Sequence, residues 1–104
     1  MRRQVVSLRR AGRVIPRRTN GLRAAVVVLK PGALMDWHST GSREELLIAL
    51  AGQVQVTVRA ASGRPRRAGL RAGQCAFLPR GTFHCVINRS MRSARYLYVT
   101  ASAA

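Results

Sequence analysis

The chain has 104 residues, 47% of them hydrophobic, which suits one globular domain and excludes both a disordered chain and two full domains. Its formal net charge is +16, because it has 18 arginines and one lysine but only three acidic residues. This charge predicts weak, salt-sensitive sticking to polyanions. With only five aromatic residues and no helical pattern that could enter a groove, sequence-specific nucleic-acid recognition is not expected.

The N-terminal segment, residues 1–21, is basic and is predicted to contribute a first strand through Val5, Val6 and Leu8. It lacks the apolar stretch of a secretory signal. No apolar run anywhere exceeds about six residues, which is too short to span a membrane. The sequence therefore predicts a cytoplasmic protein without membrane association.

Residues 22–101 are predicted to form an all-β core, because short β-rich runs alternate with turn residues at the spacing typical of a sandwich or barrel. Val54, Val56 and Val58 alternate with polar residues, as in a strand with one buried face. A polar turn follows at residues 62–65. Cys75 and Cys85 fall in predicted strands and are expected to be reduced thiols. The predicted strands are 22–29, 34–40, 45–50, 54–58, 66–70, 75–78, 83–87 and 95–100.

The acidic residues are concentrated at one place. Asp36, Glu44 and Glu45 all lie within ten residues, together with His38, one of the two histidines. The other histidine, His84, lies about forty residues further on. Two imidazoles and one carboxylate on a rigid frame form a usual site for a divalent metal with open positions. Asp36 and Glu44 are expected only to offset nearby arginines on a solvated face.

Two stretches, residues 32–52 and 73–88, resemble the two motifs of the cupin superfamily in order and spacing. One motif alone would be weak evidence, because glycine, proline and histidine recur at loose spacing by chance. Both together identify the chain as a small single-domain cupin, which implies a jelly-roll barrel, also called a double-stranded β-helix. The matching positions are Gly32, His38, Glu45 and Gly52 in the first stretch, and Gly73, Pro79, Arg80, Gly81, His84 and Asn88 in the second.

The resemblance implies that His38, Glu45 and His84 bind one divalent metal ion, which could be Fe, Mn, Ni, Co or Zn. Thr40 stands where the family usually has a second histidine, and strand alternation puts it on the same face as His38. Because a threonine hydroxyl is a poor ligand for a divalent ion, Thr40 is expected to hydrogen-bond a metal-bound water or the substrate. The replacement is also compatible with a weakened site.

The turn at Gly41 and Ser42 allows two geometries. As a local hairpin it would place His38 directly opposite Glu45 in one sheet. The resemblance implies instead that the two strands belong to facing sheets, about 10 Å apart, whose inward side chains meet. We expect the second geometry because it also brings in His84.

The function implied is a metal-binding cupin that acts on or binds a small anionic metabolite. Two histidines and one carboxylate resemble the facial triad of non-haem Fe(II) oxygenases, and an enzyme would be of the dioxygenase or isomerase type. The family also contains non-catalytic ligand and metal sensors, which is the alternative. Polyanion binding through the arginines is a third hypothesis.

A homodimer is also predicted. If Glu45 points into the barrel, Leu46, Ile48 and Leu50 lie on the outside, where large aliphatic side chains need cover. The alternative cover is the N-terminal segment.

Overall fold

Two antiparallel β-sheets make up the fold in the computed structural model, which describes residues 5–15, 19–59 and 63–102. The five-stranded sheet has the order β1-β2-β9-β4-β7, and the four-stranded sheet has the order β3-β8-β5-β6. The all-β fold expected from the sequence is confirmed. The strands are β1 (Gly12–Arg13), β2 (Leu22–Leu29), β3 (Leu34–Ser39), β4 (Arg43–Ala51), β5 (Gln53–Arg59), β6 (Pro65–Arg71), β7 (Cys75–Leu78), β8 (Phe83–Ile87) and β9 (Ala94–Ser102).

All eight strands predicted for residues 22–101 are present, and three of them have the predicted bounds. The turn predicted at residues 62–65 is described from Gly63 onward, because Ser62 lies outside the described residues. Both cysteines carry free thiols, and Cys75 is exposed whereas Cys85 is buried. Along the described ranges no helix could cross a membrane, and the cytoplasmic location stays a prediction.

The first strand predicted from Val5, Val6 and Leu8 is wrong. These three side chains are 80%, 48% and 36% exposed, and their backbone joins neither sheet. A strand needs a free sheet edge, and the edge of β2 is paired instead with Gly12 and Arg13.

The core lies between the two sheets and follows the alternation seen in the sequence. Val54 and Val56 of β5 are 3% and 2% exposed, and they pack in one cluster with Leu47 of β4 in the facing sheet. Each such aliphatic side chain contributes about 1.5–3 kcal/mol when it is removed from water. This core holds the two sheets face to face.

Gly52 forms the corner at which the chain passes from β4 in one sheet to β5 in the other. Its φ is +69°, which other residues rarely adopt. A Cβ atom at this position would lie 2.8 Å from the carbonyl oxygen of Ser93. The glycine is therefore required both by conformation and by space.

Asn88 closes one end of the barrel from a fully buried position. Its Nδ2 donates to the carbonyl oxygens of Leu29, at 2.9 Å, and Arg92, at 2.7 Å. Its Oδ1 accepts hydrogen bonds from the backbone and hydroxyl of Ser90. The last position of the second motif is thus structural.

The local hairpin geometry at Gly41 is wrong, and the facing-sheet geometry is confirmed. β3 pairs with β8, where His38 is opposite His84, while β4 pairs with β7 and β9. Gly41, with φ of +62°, carries the chain from one sheet to the other. Long-range pairing with β8 and β9 has overridden the local turn signal.

Candidate metal centre

Three side chains from three strands converge between the sheets. His38 of β3, Glu45 of β4 and His84 of β8 each offer a ligand atom, and these atoms all lie within 4.8 Å of one another. Glu45 and His84 are buried, whereas His38 is exposed. The structure therefore brings together the three residues that the sequence singled out.

A β-bulge in β3 aims His38 inward. The pairing register of β3 with β8 shifts between Met35 and His38, so that Asp36 and Trp37 together occupy the space opposite one residue of β8. Strict alternation from the inward-facing Met35 would have pointed Trp37 at the core and His38 at solvent. The extra residue corrects this, and both Met35 and His38 line the same cavity.

Each histidine has one ring nitrogen fixed by a backbone carbonyl. Nδ1 of His38 lies 2.8 Å from the carbonyl oxygen of Asp36, and Nδ1 of His84 lies 3.1 Å from that of Thr82. A carbonyl oxygen only accepts, so both Nδ1 atoms carry the hydrogen. The lone pair of each neutral ring is then on Nε2, the arrangement usual for a metal-binding histidine.

The Nε2 atom of His84 is buried and has no hydrogen-bond partner among the described residues. It lies 3.7 Å from Oε2 of Glu45, which is too far for a good hydrogen bond. Two ligands about 2.1 Å from one ion lie about 3 to 3.5 Å apart, close to this separation. An unpaired buried polar atom is costly, and a metal ion would satisfy it.

The pKa of His84 reflects the same surroundings. Burial lowers it, but the contact with Glu45 and the hydrogen bond to Thr82 outweigh burial and raise the pKa above its ordinary value of 6.5. The site thus favours a positive charge at this nitrogen, whether from a proton or from a metal ion.

Thr40 lines the same cavity, as alternation predicted, but its hydroxyl already has protein partners. It donates to the carbonyl oxygen of Pro79 at 2.8 Å and accepts from the backbone N–H of Thr82 at 2.9 Å. These bonds tie the end of β3 to the corner before β8. Because the carbonyl of Thr82 in turn orients the His84 ring, Thr40 contributes indirectly to the position of His84.

The cavity beside the three ligand residues has a volume of about 260 Å³. Its described lining contains one cationic side chain, Arg43, at the start of β4. Nε of Arg43 donates to Oγ1 of Thr100 at 2.8 Å, and Nη2 donates to the carbonyl oxygens of Thr100 and Gly21. These bonds fix the plane of the guanidinium and leave Nη1 free of any described protein partner. The other lining residues are Met35, His38, Ser39, Thr40, Glu45, His84, Val86, Tyr96, Tyr98 and Thr100.

Two tyrosines of β9 complete the wall of this cavity. Burial raises the pKa of Tyr96, and the negative charge of Glu45 and the neighbouring Tyr98 raise it further. Tyr96 therefore remains a neutral hydroxyl at physiological pH.

Sequence reasoning missed several of these residues. Asp36 is exposed, as the sequence predicts, but its Oδ1 also accepts a hydrogen bond from the backbone N–H of Trp37 inside the bulge, at 2.7 Å. Arg43 could not be distinguished from the other 17 arginines of the sequence. Alternation along β9 was the one signal that could have placed Tyr96 and Tyr98 on the inner face. Glu44 is exposed, as expected.

Comparisons with known proteins agree with this fold. A family model described as "Cupin domain" matches residues 25–100. The structure of TT1209 from Thermus thermophilus is similar, with a TM-score of 0.80 at 26% identity, and the alignment covers 96% of this chain and 98% of that chain. No match was found among the curated proteins.

Two further solved structures are similar. One is a Cupin 2 conserved barrel domain protein from Salinispora arenicola CNS-205, with a TM-score of 0.72 at 26% identity over 90% of this chain and 76% of that one. The other is an oxalate oxidase, with a TM-score of 0.74 at 22% identity over 79% of this chain. The alignment spans only 42% of the oxalate oxidase chain, so the likeness concerns the fold.

Proposed function

Because this chain belongs to the cupin family, we propose that it binds one divalent metal ion through His38, Glu45 and His84 and acts on a small anionic metabolite beside it. The observation that carries the proposal is the buried Nε2 of His84, unpartnered among described residues and facing Glu45. Two imidazoles and one carboxylate suit Fe, Mn, Ni, Co or Zn. When bound, such an ion supplies a Lewis acid that polarises an oxygen of the substrate.

Arg43 supports an anionic substrate. Its guanidinium is held by Thr100 and Gly21, Nη1 has no described protein partner, and the residue lines the cavity beside His38, Glu45 and His84. A guanidinium oriented in this way pairs well with a carboxylate. Oxalate oxidase and oxalate decarboxylase, which share the fold, are named for a small dicarboxylate, and an oxalate oxidase structure contains glycolate. The cavity of about 260 Å³ suits an acid of that size.

The metal is tested by elemental analysis of protein purified without chelators or a metal column. We expect about one ion per chain in the wild type and a loss of at least roughly tenfold in metal affinity for His84→Ala, because a three-ligand site loses its chelation. Glu44→Ala is the matched control, since Glu44 is exposed on the same strand as Glu45. Full metal content in His84→Ala would refute the assignment.

The anion is tested with metal-loaded protein by calorimetry with oxalate and glycolate. Arg43→Gln should weaken binding of these acids by roughly tenfold or more while the metal content is retained. Arg23→Gln, an exposed arginine of β2, removes the same charge elsewhere and should leave binding unchanged. Consumption of the bound acid under air would support an enzyme, and binding without product would support the sensing alternative.

A further inference from the structure

The outer face of the four-stranded sheet carries an arrangement that the metal site does not use. Val54, Val56 and Val58 of β5 face the core, so the residues that alternate with these valines face outward. The residues of β6 and β8 that pair with those outward residues face outward as well. This rule places Arg67 and Arg71 of β6 on the outer face. We call the outward set the outer platform; it consists of Trp37, Arg59, Arg67, Arg71, Phe83 and Arg89.

One half of the outer platform is aromatic. The rings of Trp37 and Phe83 stack with centroids 5.3 Å apart and an angle of 20° between their planes. The guanidinium of Arg59 lies 5.4 Å and 5.6 Å from the two centroids. Phe83 remains 38% exposed, although a ring of this size would ordinarily gain from burial. Two of the five aromatic residues thus stand together at the surface beside a cation.

The other half is a basic groove of about 530 Å³. Gly69 of β6, which has no side chain, lies in the floor of the groove, and Arg67, Arg71 and Arg89 surround it. Nε of Arg89 donates to Oε1 of Gln55 at 2.9 Å, which holds this arginine over the sheet. The remaining lining residues are Gln53, Val54, Gln55, Leu70 and Gln74.

The platform carries a net positive charge. Asp36 is the acidic residue beside it, and its Oδ1 accepts the backbone N–H of Trp37. Glu45 points into the barrel and Glu44 lies on β4 of the other sheet. Four arginines therefore face at most one carboxylate. Within the described ranges the one close ion pair is the His84–Glu45 contact at the metal centre.

We propose that the outer platform binds single-stranded nucleic acid. Exposed rings stack on unpaired bases of any sequence, and neighbouring arginines neutralise the phosphates and can themselves stack on bases. The axes of the first and last of the four strands lie about 14 Å apart, since three gaps of about 4.8 Å separate them. This width has room for a few nucleotides. In a duplex the base faces are already stacked, so the rings select the single strand. The platform lies on the opposite face of the sheet from the metal site and acts independently of it.

The test is fluorescence anisotropy with a labelled thymidine oligonucleotide of about ten nucleotides, measured over a range of salt. The double variant Arg67→Gln/Arg71→Gln should bind more weakly and lower the slope of log affinity against log salt by about 1.4, because each phosphate contact on a single strand contributes about 0.7. The matched control is Arg13→Gln/Arg23→Gln, which removes the same charge from the five-stranded sheet and should change affinity by less than about twofold.

The stacking half is tested by Trp37→Leu, which should weaken binding by roughly five- to 150-fold, whereas Trp37→Phe keeps a ring and should bind within a few-fold of wild type. The melting temperature of every variant is measured, so that a misfolded Trp37→Leu is recognised and the comparison rests on the arginine pairs. If the two arginine pairs weaken binding equally, the interaction is general charge attraction and the proposal fails. It also fails if an unlabelled duplex competes as well as the single strand.

Discussion

At the scale of single residues, Thr40 shows how a motif position can change its role without leaving the site. A histidine there would have offered a ligand atom, whereas the hydroxyl bonds the carbonyl of Pro79 and the N–H of Thr82. The carbonyl of Thr82 then accepts from Nδ1 of His84. One side chain therefore links the end of β3, the corner before β8 and the orientation of a ligand residue.

We predict that Thr40→Val destabilises the fold by about 1 kcal/mol, because the part-buried N–H of Thr82 loses its acceptor while the carbonyl of Pro79 keeps only the hydroxyl of Thr82. Metal affinity should fall by up to roughly tenfold, because His84 loses the support behind it. Thr40→Ser keeps the hydroxyl and should remain close to wild type. Denaturant unfolding and metal titration measure both effects; a Thr40→Val protein that matches wild type in both would show that the link has no energetic weight.

At the scale of elements, the β-bulge in β3 decides which side chain enters the site. Asp36 stabilises the bulge through two hydrogen bonds. Its side chain accepts one from the backbone N–H of Trp37, and its backbone carbonyl accepts one from Nδ1–H of His38. The first hydrogen bond gives an acceptor to the backbone N–H of Trp37, which the bulge removes from regular pairing with β8.

Accordingly, Asp36→Ala should lower stability by about 1 kcal/mol and weaken metal binding, because the bulge that aims His38 loses its side-chain acceptor. Asp36→Asn retains an acceptor oxygen and should lose much less. Metal titration of the two variants, with Glu44→Ala as the neutral reference, compares them directly. Equal metal affinity in all three would mean that the bulge holds its shape without Asp36, as the sequence-based expectation for this residue implied.

At the scale of the whole molecule, the outer face of the five-stranded sheet is apolar. Leu46 lies opposite Val99 and Ile48 lies opposite Leu97, and all four are only half-buried. Ala24 and Val26 of β2 lie on the same face and are buried, so cover from within the chain reaches β2 but leaves these residues of β9 and β4 half-buried. A second copy of the chain is the cover that we propose.

We predict a homodimer that sediments as such at micromolar concentration. Ile48→Glu should convert it to a folded monomer, because a charge at a twofold interface is buried twice. Leu34→Glu introduces the same charge on the other sheet, at a side chain already 48% exposed, and should leave the dimer intact. A wild-type monomer in sedimentation velocity would overturn the prediction.

The sequence alone was enough to predict most of the strands and the three residues that converge at the candidate metal centre. Alternation of valines in β5, the corner at Gly52 and the spacing of His38, Glu45 and His84 all depend on neighbours along the chain, so they can be recognised without a structure. The resemblance of the two motifs then supplied the facing-sheet geometry that the local turn at Gly41 contradicted.

Features that depend on partners distant in sequence became visible only in the folded structure. The pairing of β3 with β8, the bulge that turns His38 inward and the hydrogen bonds of Thr40 all depend on residues about 40 to 50 positions apart. Arg43 acquires its role from Thr100, and Trp37 meets Phe83 only across two strands. Such contacts are selected by the total free energy of pairing and packing across the sheets, which no local pattern encodes.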